Sequence, residues 1–236
     1  MTTLPDGFFA TTRWTLVMNA GESGGAALGE LCSAYWFPIY AYIRRRGYTK
    51  EDAEDLTQGF FASLLARGDI AGLRRENGKF RAFLLAAVKH SLANEYDKSQ
   101  RAKRGGGALH FSLDWQQADL RFRLADETAL SPDAAYDREW ATALLERVLV
   151  ILSAESGDDE RFACLKQYLS FDREAIPYAV AAKTMNLDEG TVRVAVHRLR
   201  KRYRELLREE VGLTVEKPDE IDDELRYLCA ALSATE

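Results

Sequence analysis

One stretch, Tyr178 to Leu207, leaves this chain few choices of fold: YAVAAKTMNLDEGTVRVAVHRLRKRYRELL. A short apolar helix from Tyr178 to about Thr184 runs into Met185, Asn186 and Leu187. Asn is among the few residues that tolerate a left-handed backbone, so Asn186 can make a tight turn. Asp188 stands where a helix N-cap belongs, and a longer helix is predicted behind it. Val192, Val196, Leu199, Tyr203 and Leu206 recur every three or four residues, one apolar stripe for a core. Arg193, His197, Arg200 and Arg204 recur on another face, with Arg198, Lys201 and Arg202 between. Two short helices, the second basic on its open side, form the helix-turn-helix pattern, whose second helix enters the DNA major groove.

Total charge runs against that at first sight, because the 236 residues carry a net charge of −5. The basic residues cluster in two places and the acids lie elsewhere, so the local field matters more than the sum. A hydrophobic content of 47% with 29% charged residues describes a globular chain with enough length for one large or two small cores. Cys32, Cys164 and Cys229 are scattered, which speaks for a reducing compartment and against a disulfide frame or a zinc site. No apolar run approaches the roughly 20 residues of a membrane span, and no leader pattern opens the sequence. The expectation is a cytoplasmic protein without membrane insertion.

Taken in order, residues 8 to 20 form a short amphipathic opening that Gly21 to Gly25 interrupts. An aromatic-rich helix follows from about Ala26 to Arg46, which Pro38 is expected to kink or split. Thr49 to Arg67 reads as a helix with Thr49 as cap and Asp52 as half of a capping box. Its buried stripe is Ala53, Leu56, Phe60 and Leu64; Glu51, Glu54, Asp55 and Gln58 share the opposite face. Such acids either complement the helix dipole or form a functional acidic patch. After the polar loop Gly68 to Gly78, a helix from Lys79 to about Ser99 puts Phe80, Phe83, Leu84 and Val88 inward, with Lys89 and Tyr96 outward. It runs into Lys98, Arg101, Lys103 and Arg104. Basic residues beside exposed aromatics suit melted or single-stranded nucleic acid. A solvated helix end before a glycine linker gives the same pattern.

Gly105 to about Pro132 lacks periodicity and reads as a linker. Helices are predicted again over Asp137 to Ile151 and Arg161 to Leu169. A last one, Asp219 to Leu232, has the stripe Ile221, Leu225, Leu228 and Leu232 behind an acidic front that includes Glu224. The expected fold is all-α: two helical domains, 26–104 and 137–211, joined by a flexible linker, 105–136. Extensions occupy 1–25 and 212–236. The final stripe is expected to pack on the helix-turn-helix helices, or else to lie across a binding face with its acids on Arg198, Lys201 and Arg202.

With these stretches in order, the chain resembles a bacterial sigma factor of the extracytoplasmic-function class. The resemblance covers roughly Ala26 to Arg104, like sigma region 2, and Ala141 to Glu210, like region 4. It rests on Asp52-Ala53-Glu54-Asp55-Leu56-Thr57-Gln58 followed by Phe60, on Phe80-Arg81-Ala82-Phe83-Leu84, and on Gly190-Thr191-Val192 with His197, Arg198 and Arg200. The resemblance implies that Glu51, Asp52, Glu54, Asp55 and Gln58 bind core RNA polymerase. Phe83, Lys89, His90, Tyr96, Lys98 and Arg101 would hold the −10 strand of promoter DNA, with the Gly68 to Gly78 loop as pocket for a flipped base. Asp188, Glu189, Thr191, Arg193, His197, Arg198, Arg200 and Lys201 would meet the −35 duplex. An anti-sigma factor or a protein kinase is a further candidate partner. Phe83, His90 and Ala195 replace residues common in the family (Trp, Asn and Arg), so the promoter sequence does not carry over. No cofactor, metal site or catalytic residue is expected, since the acids of the second helix face outward without a second ligand pair. The rival reading is a helix-turn-helix regulator that does not bind core polymerase.

Overall fold

The structure is a computed structural model and describes residues 25–67, 79–99, 113–125, 130–169 and 177–233. The opening segment, the 68–78 loop and Arg101 lie outside the described residues. Among those described, the chain is helical and has no β-strand. The helices are α1 (Gly25–Arg45), α2 (Lys50–Arg67), α3 (Phe80–Ser99), α4 (Trp115–Ala125), α5 (Pro132–Ser156), α6 (Asp159–Lys166), α7 (Tyr178–Met185), α8 (Glu189–Gly212) and α9 (Ile221–Ser233). They divide between two compact units, one of Met1–Ala143 with Val211–Glu236, the other of Leu144–Glu210.

In the first unit α1 runs through Pro38 without splitting. Pro38 and its neighbours Phe37 and Ile39 are all buried, and that packing outweighs the roughly 3 kcal/mol of a helix-interior proline. The turn into α2 passes through Gly47, whose φ of +92° favours glycine. Thr49 caps α2 as expected: the Asp52 N–H donates to its Oγ1 at 3.2 Å, and that hydroxyl donates to the Asp52 carboxylate at 2.9 Å. Tyr35 of α1 stacks on Trp140 of α5 at 3.9 Å between ring centroids, with Phe80 and Tyr136 also about the indole. The Tyr136 hydroxyl donates to the Arg81 carbonyl at 3.0 Å, and full burial pushes its phenol well above the ordinary range.

Part of the stretch expected to be a bare linker is helical and packed. Within α4, Ala118 and Phe122 are buried, and Trp115 meets Trp36 edge-on at 5.0 Å. Arg44 lies over the Phe122 ring at 4.7 Å and pairs with Asp119 at 3.3 Å. The following helix also begins earlier than its periodicity suggested, at Pro132, with Ser131 Oγ accepting the Ala134 N–H at 3.2 Å. Proline inside the first turn and serine before it are ordinary helix-start chemistry.

The C-terminal segment, expected to pack on the helix-turn-helix helices, groups instead with the first unit. An isolated antiparallel bridge joins Lys79 to Val215, and the Phe80 N–H donates to the Thr214 carbonyl at 2.8 Å. Beside that bridge Arg81, only 6% exposed, forms ion pairs with Asp137 and with Glu224, the latter at 3.1 Å. Glu224 is 1% exposed and also pairs with Lys79 at 2.8 Å. Tyr227 closes the cluster: its hydroxyl donates to Asp137 at 2.5 Å and its ring lies 4.3 Å from the Arg81 guanidinium. The buried side of α9 is therefore Ile221, Glu224 and Leu228, and Glu224 is not one of the solvating acids.

The second unit holds the later part of α5 with α6, α7 and most of α8. Val148, Leu152, Phe162 and Leu206 form one apolar cluster. Leu165, Tyr168, Ala181, Ala182, Val192 and Val196 form the other, which carries the α7–α8 pair.

Candidate nucleic-acid interface

The turn between α7 and α8 is built as its residues dictate. Asn186 adopts φ 52°, ψ 47°, the left-handed cap conformation. The Leu187 N–H reaches the Ala182 carbonyl at 2.9 Å, while that of Asn186 reaches Lys183 at 3.4 Å. These paired bonds satisfy carbonyls that the end of α7 would otherwise leave open. Asp188 then caps α8, accepting the Thr191 N–H at 2.9 Å and the Thr191 hydroxyl at 2.5 Å. Gly190 leaves that carboxylate its room, since a Cβ there would lie 3.0 Å from it.

Those bonds from Thr191 hold the Asp188 carboxyl below its ordinary value of 3.8. A depressed carboxyl stabilises the cap above its ordinary pKa and loses that contribution as pH falls through the lowered one. Asp188→Ala should therefore speed amide exchange at Thr191 in neutral solution, relative to the intrinsic rate. Acidifying the unaltered chain through the lowered pKa should do the same. Equal protection in both proteins at neutral pH would show that the cap contributes nothing.

Val192 and Val196 are buried against α7, so the other side of α8 faces away from the core. Glu189, Thr191, Arg193, His197, Arg198, Arg200 and Lys201 are all exposed there. They are not equivalent. The Arg200 Nε donates to the Tyr168 carbonyl at 2.9 Å, and the Arg193 guanidinium lies 5.6 Å from the Tyr178 ring centroid. Arg202 is drawn to the flank of the helix by Glu155 at 2.7 Å and Glu209 at 3.0 Å. The hydrogen bond with Glu155 is the largest cause raising the arginine's pKa, and it lowers that of the glutamate. The partners of Arg202 among the described residues are thus Glu155, Glu205 and Glu209, where the second expectation for the C-terminal segment had its acids. Among the described residues no hydrogen bond or ion pair engages the side chain of His197 or Arg198, and that of Lys201 has only Glu205 at 3.9 Å. Arg198 and Lys201 are the cations best placed to meet a phosphate backbone.

Of the residues expected at the −10 strand, Phe83 is buried with its ring 6.1 Å from Phe80, a core position. Lys89 is exposed and pairs with Asp133 at 2.6 Å; His90 is exposed. Tyr96 and Lys98 fall near the end of α3, where the side chains lie outside the described set. On α2, Glu51, Asp52 and Asp55 are exposed, whereas Glu54 and Gln58 are half-buried. Burial raises the Glu54 carboxyl above its ordinary range, against the pull of Lys50 at 3.9 Å. The full acidic face is thus narrower than helical spacing suggested.

Sequence reasoning passed over Val194, which is exposed among the basic residues of α8. Among the described residues no cluster of His, Cys, Asp or Glu could hold a metal ion, and no helix is long and apolar enough to cross a membrane. No known protein family, curated protein or solved structure matches the chain.

Proposed function

We propose that this chain is a sigma factor of the extracytoplasmic-function class, binding core RNA polymerase and directing it to promoters. The observation that carries the proposal is the α7–turn–α8 unit: a left-handed Asn186 turn, a capped second helix and an open face with Arg198 and Lys201. Such a helix places its first turns against base edges in the major groove while flanking cations hold phosphate. Under this reading α8 meets the −35 duplex, and Lys89 and His90 on α3 lie toward the −10 strand. The exposed acids Glu51, Asp52 and Asp55 of α2 form the contact with polymerase. The resemblance of the α2 and α3 motifs to sigma region 2 supports a sigma factor over a helix-turn-helix regulator, which has no use for the acidic helix. An anti-sigma factor or kinase would act on this same assembly.

The test is binding to purified core polymerase without DNA. Glu51→Lys with Asp55→Lys changes two exposed charges and should weaken that binding by about tenfold or more at low salt. Circular dichroism should be unaltered. A chain that ignores core polymerase but still binds duplex DNA through Arg198 would be a regulator of the rival kind.

A further inference from the structure

We propose that Val194 is a specificity determinant that reads thymine, its methyl groups meeting the C5 methyl of a thymine in the major groove. The inference rests on the reading that α8 docks on duplex DNA.

Successive residues on a helix stand about 100° apart, so Val194 lies about 200° around α8 from Val192. Val192 is fully buried and Val196 nearly so, and they mark the core side. Val194 therefore stands near the middle of the open face, and it is 51% exposed. Thr191 precedes it by three residues and Arg198 follows by four, both exposed, so all three share one strip of surface. It belongs to the first two turns after the Asp188 cap, the part of such a helix that reaches base edges. His197, Arg198 and Lys201 around it favour a polyanion over an apolar protein surface.

Valine has no hydrogen-bond group, so it cannot read the donor and acceptor pattern of a base pair. The apolar feature in the major groove of unmodified DNA is the thymine methyl, and the minor groove offers none. A β-branched side chain also keeps essentially one rotamer on a helix, so its two methyls are held in place before DNA arrives. Arg198, one turn further on, is placed to take an acceptor on a neighbouring base or the adjoining phosphate.

The experiment enriches duplexes from a random-sequence pool with the full chain, alone and bound to core polymerase. The best duplex is then remade with each thymine in turn replaced by deoxyuridine, which lacks only the methyl. At one position the replacement should weaken binding by about fourfold, the worth of one buried methyl. Val194→Ala should bind the thymine and deoxyuridine forms of that duplex equally, with an unchanged thermal midpoint because residue 194 is outside the core. Val194→Thr, which keeps one methyl, should retain part of the preference. Equal binding of both forms by the unaltered chain at every position would overturn the assignment alone. So would an undiminished preference in Val194→Ala. Enrichment of no duplex under either condition would overturn the docking of α8 on DNA, and this assignment with it.

Discussion

Arg81→Ala should cost the fold about 3–5 kcal/mol, among the largest effects of any single substitution in the chain. Arg81 is the cation between two buried carboxylates, Asp137 and Glu224, and its ring contact with Tyr227 fills the remaining side. Lys79 pairs with Glu224, so among the described residues removing the guanidinium leaves Asp137 with the Tyr227 hydroxyl alone. Assembling the cluster from water is costly, yet removing one member is worse than never having built it. Arg81→Lys should recover only part of the loss, because an ammonium cannot reach both carboxylates with the planar fork. Glu224→Leu combined with Arg81→Met should cost less than the sum of the two single changes. Urea unfolding reads the unaltered chain and the five variants, the two single changes of the pair included. A midpoint for Arg81→Ala within experimental error of the unaltered chain would mean that the cluster is solvated.

Ending the chain after Gly212 should be more damaging still. It removes Glu224 and Tyr227 together, leaving Arg81 and Asp137 uncovered, and it strips the burial of Ile221 and Leu228. Each of those apolar side chains is worth roughly 1.5–3 kcal/mol when buried. The sum is comparable with the whole stability of a small domain, about 5–15 kcal/mol. The loss should be local: amide protection should disappear from α1 and α3 and persist in α7 and the first turns of α8, which belong to the other unit. An autoinhibitory segment would behave oppositely, giving a stable truncated chain that binds promoter or core polymerase more tightly.

The helix-turn-helix was legible because its chemistry is local. Asn186, Asp188 and the valines at 192 and 196 state turn, cap and core within eleven residues, and the structure forms them as read. The Arg81 cluster was not legible, because Arg81 and Glu224 are 143 residues apart and each resembles a solvent-facing charge on its own helix. Helix α4 was missed for a related reason. Its buried side depends on rings and guanidiniums from elsewhere, Arg44 on Phe122 and Arg121 over Phe37, and not on an apolar period of its own. On α8, residue spacing identified the basic face but could not tell which arginines are tied back. Arg200 and Arg202 are bonded to neighbouring groups, whereas Arg198 stands clear of them among the described residues. Val194 escaped notice because it belongs neither to the apolar stripe through Val192 and Val196 nor to the basic residues that marked the open face.

The division of the chain, with residues 211–236 returning to the unit that begins the sequence, has a consequence for how the protein is made. On the ribosome the contiguous unit of residues 144–210 can complete its contacts as soon as its own last residues emerge. The earlier unit must wait for Glu224 and Leu228. At roughly 5–20 residues per second that wait lasts on the order of ten seconds. During it Arg81 and the apolar surface that α9 will cover stand open to chaperones and to mispairing. Nascent chains stalled with residue 210 just outside the exit tunnel should therefore be cut by protease in the first unit and spared in the second.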